Sequence, residues 1–252
     1  MMKIVEAANE LKLPFLKENH PQLIKEYQAR GLNLEEAIEE WLNEEVMHRR
    51  DRSHQRRIKA AKFNQKKYLV DFDDTVFQEP VRKELRNLKT LQFIEEKENA
   101  IFIGNPGTGK THYSIGLGME ACLKGYNVLF VNAPNLVIQM KEAVTQSQFY
   151  RFKQRLKKVD LLIIDELGYL SFDESGAELI FNLLSNQIGK GSVIITTKLT
   201  FDRWQECFKD PALTGALVDR LAYKAHVVDM RGESYRMKQT SLWKKELEKG
   251  ED

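Results

Sequence analysis

The eight residues Gly104-Asn105-Pro106-Gly107-Thr108-Gly109-Lys110-Thr111 fit the spacing G-x-x-x-x-G-K-[ST] in full. A polyphosphate needs converging backbone N–H groups and a helix N-terminus, and glycines let the main chain come that close. In such a cradle Lys110 neutralises the β- and γ-phosphates, and His112 stands directly behind at the opening of the following helix. Thr111 places a hydroxyl on Mg2+, which prefers octahedral oxygen ligation shared with phosphate oxygens and water.

A magnesium site of this kind calls for a second protein oxygen. LLIID (161–165) supplies Asp165 at the C-terminal end of an apolar run, the end at which open α/β sheets bind ligands. Glu166 follows at once and suits a general-base or water-orienting role toward the γ-phosphate. An Asp-Glu pair at a strand end is ordinarily a solvated turn. Paired with the phosphate loop and with one strand between them in the chain, it points instead to an ATPase rather than a small-molecule kinase. SVIITTKLT (192–200) ends a further strand in Thr196, Thr197 and Lys198, where a polar side chain could sense the γ-phosphate, although threonine favours strands in any case.

These residues need a scaffold. Five short apolar runs, AIFIG (100–104), NVLFVNA (127–133), DLLIID (160–165), SVIITT (192–197) and AHVVDM (225–230), alternate with helix-length connections. That alternation predicts an α/β fold with a five-stranded parallel sheet covered on both faces. At 252 residues, 42% apolar and 30% charged, the chain is long and apolar enough for such a core and is neither disordered nor membrane-spanning in composition. The N-terminus has no apolar signal segment, so the cytoplasm is the expected address. Cys122 and Cys207 lack zinc-site spacing and read as two buried thiols; the five histidines form no metal-binding pattern.

Ahead of the sheet the apolar spacing is helical. Leu11, Leu13 and Leu16 mark a first segment; Leu23, Ile24 and Tyr27 mark a second, closed by Gly31. Asn33 and Glu36 then form a capping pair ahead of Leu34, Ile38, Trp41 and Leu42. YLVDFDDTVFQEP (68–80) reads as a linker, against which adenine is expected to rest around Phe72–Pro80. The expected domains are 1–70, small and all-α, and 71–252. Val81, Leu85, Leu88 and Ile94 predict one more helix on the way to the sheet.

The net charge of +2 hides an uneven distribution. Residues 1–47 hold five Lys/Arg against ten Asp/Glu, whereas 48–67 hold nine against one. A charge run is usually a solvated face. A positive rod carrying Arg49, Arg50, Arg52, Arg56, Arg57, Lys59 and Lys62 nevertheless suits phosphate contacts. Without helix-turn-helix or zinc-finger signatures, binding to duplex DNA is expected to tolerate sequence and fall steeply with salt.

GNPGTGKT, LLIIDE and GALVDRLAYKAHVVDMRGESYR together resemble the AAA+ ATPases of the IstB/DnaC group, transposase helpers and helicase loaders, over about 70–240. The resemblance implies an AAA+ P-loop NTPase fold, ATP and Mg2+ as cofactors, and assembly into a ring or helical oligomer with ATP between subunits. It implies an arginine finger at Arg220, a nucleotide-sensing Arg236 and a γ-phosphate sensor at Thr197. Members commonly carry asparagine where this chain has Lys198, so Thr197 and Lys198 both stand as candidates. The implied role is that of a transposition helper that distorts target DNA without sequence specificity and activates a cognate transposase; the alternative is a DnaC-like replicative helicase loader. A non-enzymatic DNA scaffold is a third possibility, against which Glu166 argues. Only 22 residues follow Met230, which leaves room for a reduced lid with one helix over SLWKKELEK (241–249).

Overall fold

The computed structural model describes residues 3–237 together with Thr240 and Trp243; the rest of SLWKKELEK, where a C-terminal helix is expected, lies outside the described residues. The chain divides into two compact units between Arg56 and Arg57.

The N-terminal unit is helical. Helix α1 (Ile4–Glu10) and helix α2 (Pro14–Arg30) precede α3 (Leu34–Ala61), which runs 28 residues and on through the division. Gly31 ends α2 at φ 68°, where the absence of a Cβ makes the left-handed turn cheap. Asn33 and Glu36 close a reciprocal capping box at the start of α3, each side chain accepting the other's backbone N–H at 2.9 Å. Among the described residues of this unit, Ala8, Leu23 and Tyr27 are the buried apolar ones.

The second unit starts earlier than the expected boundary at 70, because Ala61 and Leu69 are buried in its core and Ile58 and Phe63 pack against it. Residues 68–80 are therefore a belt on that core rather than a free connector. They include a single 3-10 turn at Leu69–Asp71. Helix α4 (Glu79–Lys89) follows, and the helix expected to reach Ile94 breaks at Leu91, whose φ is 66°, before the short α5 (Gln92–Glu95).

All five expected strands are present: β1 (Asn99–Ile103), β2 (Val128–Asn132), β3 (Leu161–Leu167), β4 (Ser192–Thr197) and β5 (Ala225–Asp229). They form one parallel sheet in the order β2-β3-β4-β1-β5. The connections are α6 (Lys110–Lys124) after β1, α7 (Ala133–Thr145) and α8 (Phe149–Leu156) after β2, and α9 (Glu174–Gln187) after β3. Helices α10 (Gln205–Phe208) and α11 (Pro211–Ala222) lead into β5.

Alternate strand residues feed two cores, as a sheet covered on both faces requires. Ile101 and Ile103 face one, with α7, α9 and α11 supplying Met140, Ile180 and Leu217. Ala100 and Phe102 face the other, with Leu85, Tyr113 and Leu117. Cys122 and Cys207 are free and buried as expected, and burial pushes each thiol up to about 11. Among the described residues no helix is long and apolar enough to cross a membrane.

Candidate active site

Because β1 and β3 run parallel with β4 between them, the loop after β1 and the acidic end of β3 emerge at the same, C-terminal end of the sheet. Gly104 opens that loop where β5 leaves its neighbour. A Cβ there would lie 2.6 Å from the Met230 carbonyl oxygen, so only glycine permits the approach. Gly109 caps α6 at φ 94°, and a Cβ on it would meet the Phe72 ring at 2.7 Å. Phe72 itself packs against Tyr113 and His112, with ring centroids 4.9 and 5.5 Å away. The expected adenine belt is thus brought against the phosphate loop.

Lys110 is buried, and its Nζ donates to the carbonyls of Gly104 and Asn105 at 2.7 Å each. Burial lowers its pKa to about 8, with Arg236 pushing the same way and Asp165 opposing. The ammonium is therefore held ready in a place that penalises its charge, and an arriving polyphosphate relieves that penalty. Within the loop, Thr108 Oγ1 donates to the Asn105 carbonyl at 3.0 Å. His112 Nε2 lies 3.0 Å from the Tyr68 carbonyl, which ties it to the belt rather than to the cradle.

Thr111 Oγ1 donates to Asp165 Oδ1 and Oδ2 at 2.9 and 3.2 Å. A hydroxyl and a carboxylate that converge in this way are the hard oxygen donors Mg2+ takes alongside phosphate and water. This pair fits the ion, although among the described residues no group of three His, Cys, Asp or Glu could hold a metal by itself. Burial raises the Asp165 pKa, and hydrogen bonds from Thr196 and Thr111 work against that rise.

Glu166 owes its direction to a β-bulge. The β3–β4 register slips between Ile164 and Leu167, and Glu166 takes a φ of 60°, which turns it out of the sheet beside the buried Asp165. A non-glycine residue at positive φ stores strain, and such strain concentrates at functional sites. Two residues hold this arrangement: Thr196, a strand-ending polar residue of the sequence reading, and Asn132, which was not expected as a site residue. Thr196 Oγ1 donates to Asp165 Oδ1 at 2.5 Å and accepts the Glu166 N–H at 2.9 Å. Asn132, last residue of β2 and in register with Asp165, donates from Nδ2 to Glu166 Oε2 at 2.6 Å. The signal for Asn132 was a polar residue ending the apolar run NVLFVN.

The sensor candidates are placed unequally. Thr197 is buried, and its Oγ1 accepts the Leu199 N–H at 3.0 Å, whereas Lys198 is exposed with its Nζ 5.2 Å from the centre of the Tyr169 ring. The segment after β5 folds back over the loop: Tyr235 N–H donates to the Gly107 carbonyl at 3.0 Å, and Arg236 Nε lies 3.4 Å from where a Gly107 Cβ would stand. Together these walls enclose a cleft of about 1250 Å³ lined by Pro106 to His112, Asp165, Glu166, Phe72, Phe77 and Arg236, among others. Arg220 is not among the lining residues; it is exposed on α11, with its guanidinium 5.2 Å from the Phe181 ring centre.

Of the seven expected DNA-contacting cations, Arg50, Arg52, Arg56, Lys59 and Lys62 are exposed. Arg49 is exposed too, and donates to the Lys12 carbonyl at 2.8 Å. Arg57 is only half-exposed, its Nε donating to the Cys122 carbonyl at 2.8 Å, so part of its role is to fix the start of the second unit.

A family model described as IstB-like ATP binding protein matches residues 6–242. Over 240 residues the chain is 32% identical to the ATP-binding protein of insertion sequence IS5376 from Geobacillus stearothermophilus, with 95% of this chain and 96% of the relative covered. Over 232 residues it is 36% identical to the insertion sequence IS21 ATP-binding protein of Pseudomonas aeruginosa, covering 92% and 87%. The DnaC helicase loader structure matches with a TM-score of 0.55 over 69% of this chain and 98% of the loader. At 18% identity that likeness is one of fold, the AAA+ P-loop NTPase fold.

Proposed function

Since the chain belongs to the IstB-like ATP-binding protein family and is an ATPase, we propose that it couples ATP to the handling of target DNA in transposition. It binds duplex DNA without sequence preference, assembles on it with ATP into a ring or helical oligomer, and presents the distorted DNA to its cognate transposase. The observation that carries the DNA part is the set of exposed cations Arg49, Arg50, Arg52, Arg56, Lys59 and Lys62 on a family member whose relatives are insertion-sequence proteins. Smoothly bending a short duplex through 40–90° costs about 1–6 kcal/mol, which several subunits can share. Head-to-tail contacts of identical chains build such rings or filaments.

Within one subunit, Lys110 leaves the carbonyls of Gly104 and Asn105 for the β- and γ-phosphates, and Arg236 approaches from the β5 side. Thr111 and Asp165 would hold Mg2+, which neutralises the charge shared by the β- and γ-phosphates. Glu166 orients the attacking water and takes its proton once it leaves Asn132, which holds its carboxylate until the site rearranges; Thr196 fixes the Glu166 backbone, and Thr197 or Lys198 registers the γ-phosphate. Arg220, exposed and outside its own cleft, acts on the ATP of the neighbouring subunit. Hydrolysis then resets the assembly.

The test is sedimentation of the protein with random-sequence duplex DNA, with and without a non-hydrolysable ATP analogue. Large complexes that require the nucleotide are expected. Protein and DNA remaining apart in both conditions would overturn the DNA-handling role and leave the ATPase without this partner.

A further inference from the structure

At the end of the sheet away from the phosphate loop, side chains from three segments meet. His226, second residue of β5, lies with Nδ1 2.5 Å from Glu84 Oε1 of α4 and with Nε2 2.9 Å from Glu98 Oε2, just before β1. All three side chains are a third exposed or less. A neutral imidazole has one N–H and one lone pair, so it satisfies one of these carboxylates and turns a lone pair on the other. The imidazolium donates to both. Burial alone would lower the pKa of the ring, but the hydrogen bonds and charges of Glu84 and Glu98 outweigh it and hold the pKa above the ordinary histidine value. The charges that act on the ring come from those two glutamates, on α4 and at the entry to β1. Within β1 its neighbour is Ala100, and α5 faces it with the Phe93 ring, edge to face at 6.4 Å between centroids. The trio is not placed to hold a metal ion.

The two elements joined by this ring lead to two walls of the ATP cleft. Glu84 sits on the helix that continues the belt: Arg82 Nε lies 3.7 Å from Asp74 Oδ1, and Phe72 packs on Gly109. On the other side β5 runs on to Met230, whose N–H donates to the Ile103 carbonyl at 2.7 Å, and then to Tyr235 on Gly107 and to Arg236 in the cleft. We propose that His226 is a positioning residue: as an imidazolium it clasps α4 to β5, holding the belt wall and the Arg236 wall of the cleft together, and loss of its proton loosens the clasp. A cleft whose walls are already held loses less conformational entropy when nucleotide binds. Because the folded-state pKa is the higher one, the clasp is complete below about 6.5, the ordinary histidine value, and is lost as the pH rises through the raised value. The proposal stands on ATP binding and not on the DNA-handling role.

The test compares the full-length parent with His226→Gln, and with Glu84→Gln as a second variant that removes one charge and keeps the ring. Magnetic resonance of the His226 ring reads its pKa directly: above about 6.5 in the parent and lower in Glu84→Gln. Thermal denaturation between about pH 5.5 and pH 9 reads the linkage. The parent's advantage over His226→Gln in melting temperature should be largest below about pH 6.5 and shrink as the pH rises, by about 2–4 °C for each unit by which the folded pKa exceeds the unfolded one. Groups common to both proteins, Lys110 among them, cancel in that difference. ATP should bind His226→Gln several-fold more weakly than the parent at low pH, and the two affinities should converge at high pH. A ring that titrates at or below the ordinary histidine value, or a melting-temperature difference that does not change with pH, overturns the clasp. Equal ATP affinity in parent and His226→Gln at low pH overturns its hold on the cleft walls. If His226→Gln fails to fold, Glu84→Gln carries the same comparisons, with the same outcomes for and against.

Discussion

Asn132 holds Glu166: the amide at the end of β2 donates to the carboxylate at the bulge of β3 across 2.6 Å. A hydrogen bond to a charged acceptor contributes about 1.5–3 kcal/mol, enough to keep the glutamate in one orientation until the site rearranges. Asn132→Ala should therefore release Glu166 early. The expected result is a basal ATPase rate raised up to about tenfold, with DNA stimulation reduced and ATP affinity unchanged. Equal kcat with and without the substitution would remove the pair from the mechanism.

Glu166→Gln keeps the size and the positive φ of the residue while removing the base. Loss of general-base or water-orienting help costs about 10²–10⁴ in kcat. The variant should bind ATP normally and accumulate on DNA, which steady-state turnover and sedimentation with ATP report together. Turnover at the parental rate would take Glu166 out of the reaction.

Lys110 gives the site a pH dependence with a definite sign. Its pKa of about 8 in the nucleotide-free protein rises when phosphates surround it. Below pH 8 the ammonium is already present and ATP affinity is flat. Above pH 8 binding must take up a proton, so affinity should fall by up to about tenfold per pH unit until the complexed pKa is reached. Calorimetry in buffers of different ionisation enthalpy reads that proton directly. Lys110→Ala should abolish the uptake and weaken ATP by about 100-fold or more.

The elements that the sequence made legible are those governed by local pattern. The five apolar runs became the five strands, Gly31 and Asn33 capped the helices they flank, and the phosphate loop and Asp165 met. What stayed hidden depended on lateral order in the sheet. Inserting β4 between β1 and β3 is a long-range event that puts the Thr196 hydroxyl on Asp165, and β2 beside β3 is what brings Asn132 to Glu166. The belt at 68–80 read as a linker because its polar residues mask the two that anchor it, Leu69 on α6 and Phe72 on Gly109.

The closure of β5 over the loop can be tested through Gly104. An alanine there places a methyl 2.6 Å from the Met230 carbonyl, and overpacking of this kind costs about 1–3 kcal/mol. For a unit of this size each kcal/mol lowers the melting temperature by about 2–4 °C. Gly215→Ala is the counterpart, because a methyl at that position in α11 meets nothing within 4 Å. It should leave stability equal or raise it by about 0.5–1 kcal/mol. Thermal denaturation of the two variants side by side distinguishes a specific close approach from a general intolerance of added bulk.

Arg220 sits on α11 away from its own cleft, with its charge resting over Phe181, so any action on ATP must be exerted on a neighbour. Arg220→Ala should then bind ATP as the parent does and lose hydrolysis, since an arginine supplied to the transferring phosphate contributes about 10³–10⁵ in rate. Mixing decides between an intersubunit and an intrasubunit role. Subunits carrying Arg220→Ala retain an intact Glu166, and subunits carrying Glu166→Gln retain an intact Arg220; each is inactive alone. In a mixed assembly some clefts pair a working Glu166 with a working Arg220 from the adjacent chain, and ATPase activity should reappear in proportion to those junctions. No recovery at any mixing ratio, with assembly intact by sedimentation, would return Arg220 to a surface cation that packs on Phe181.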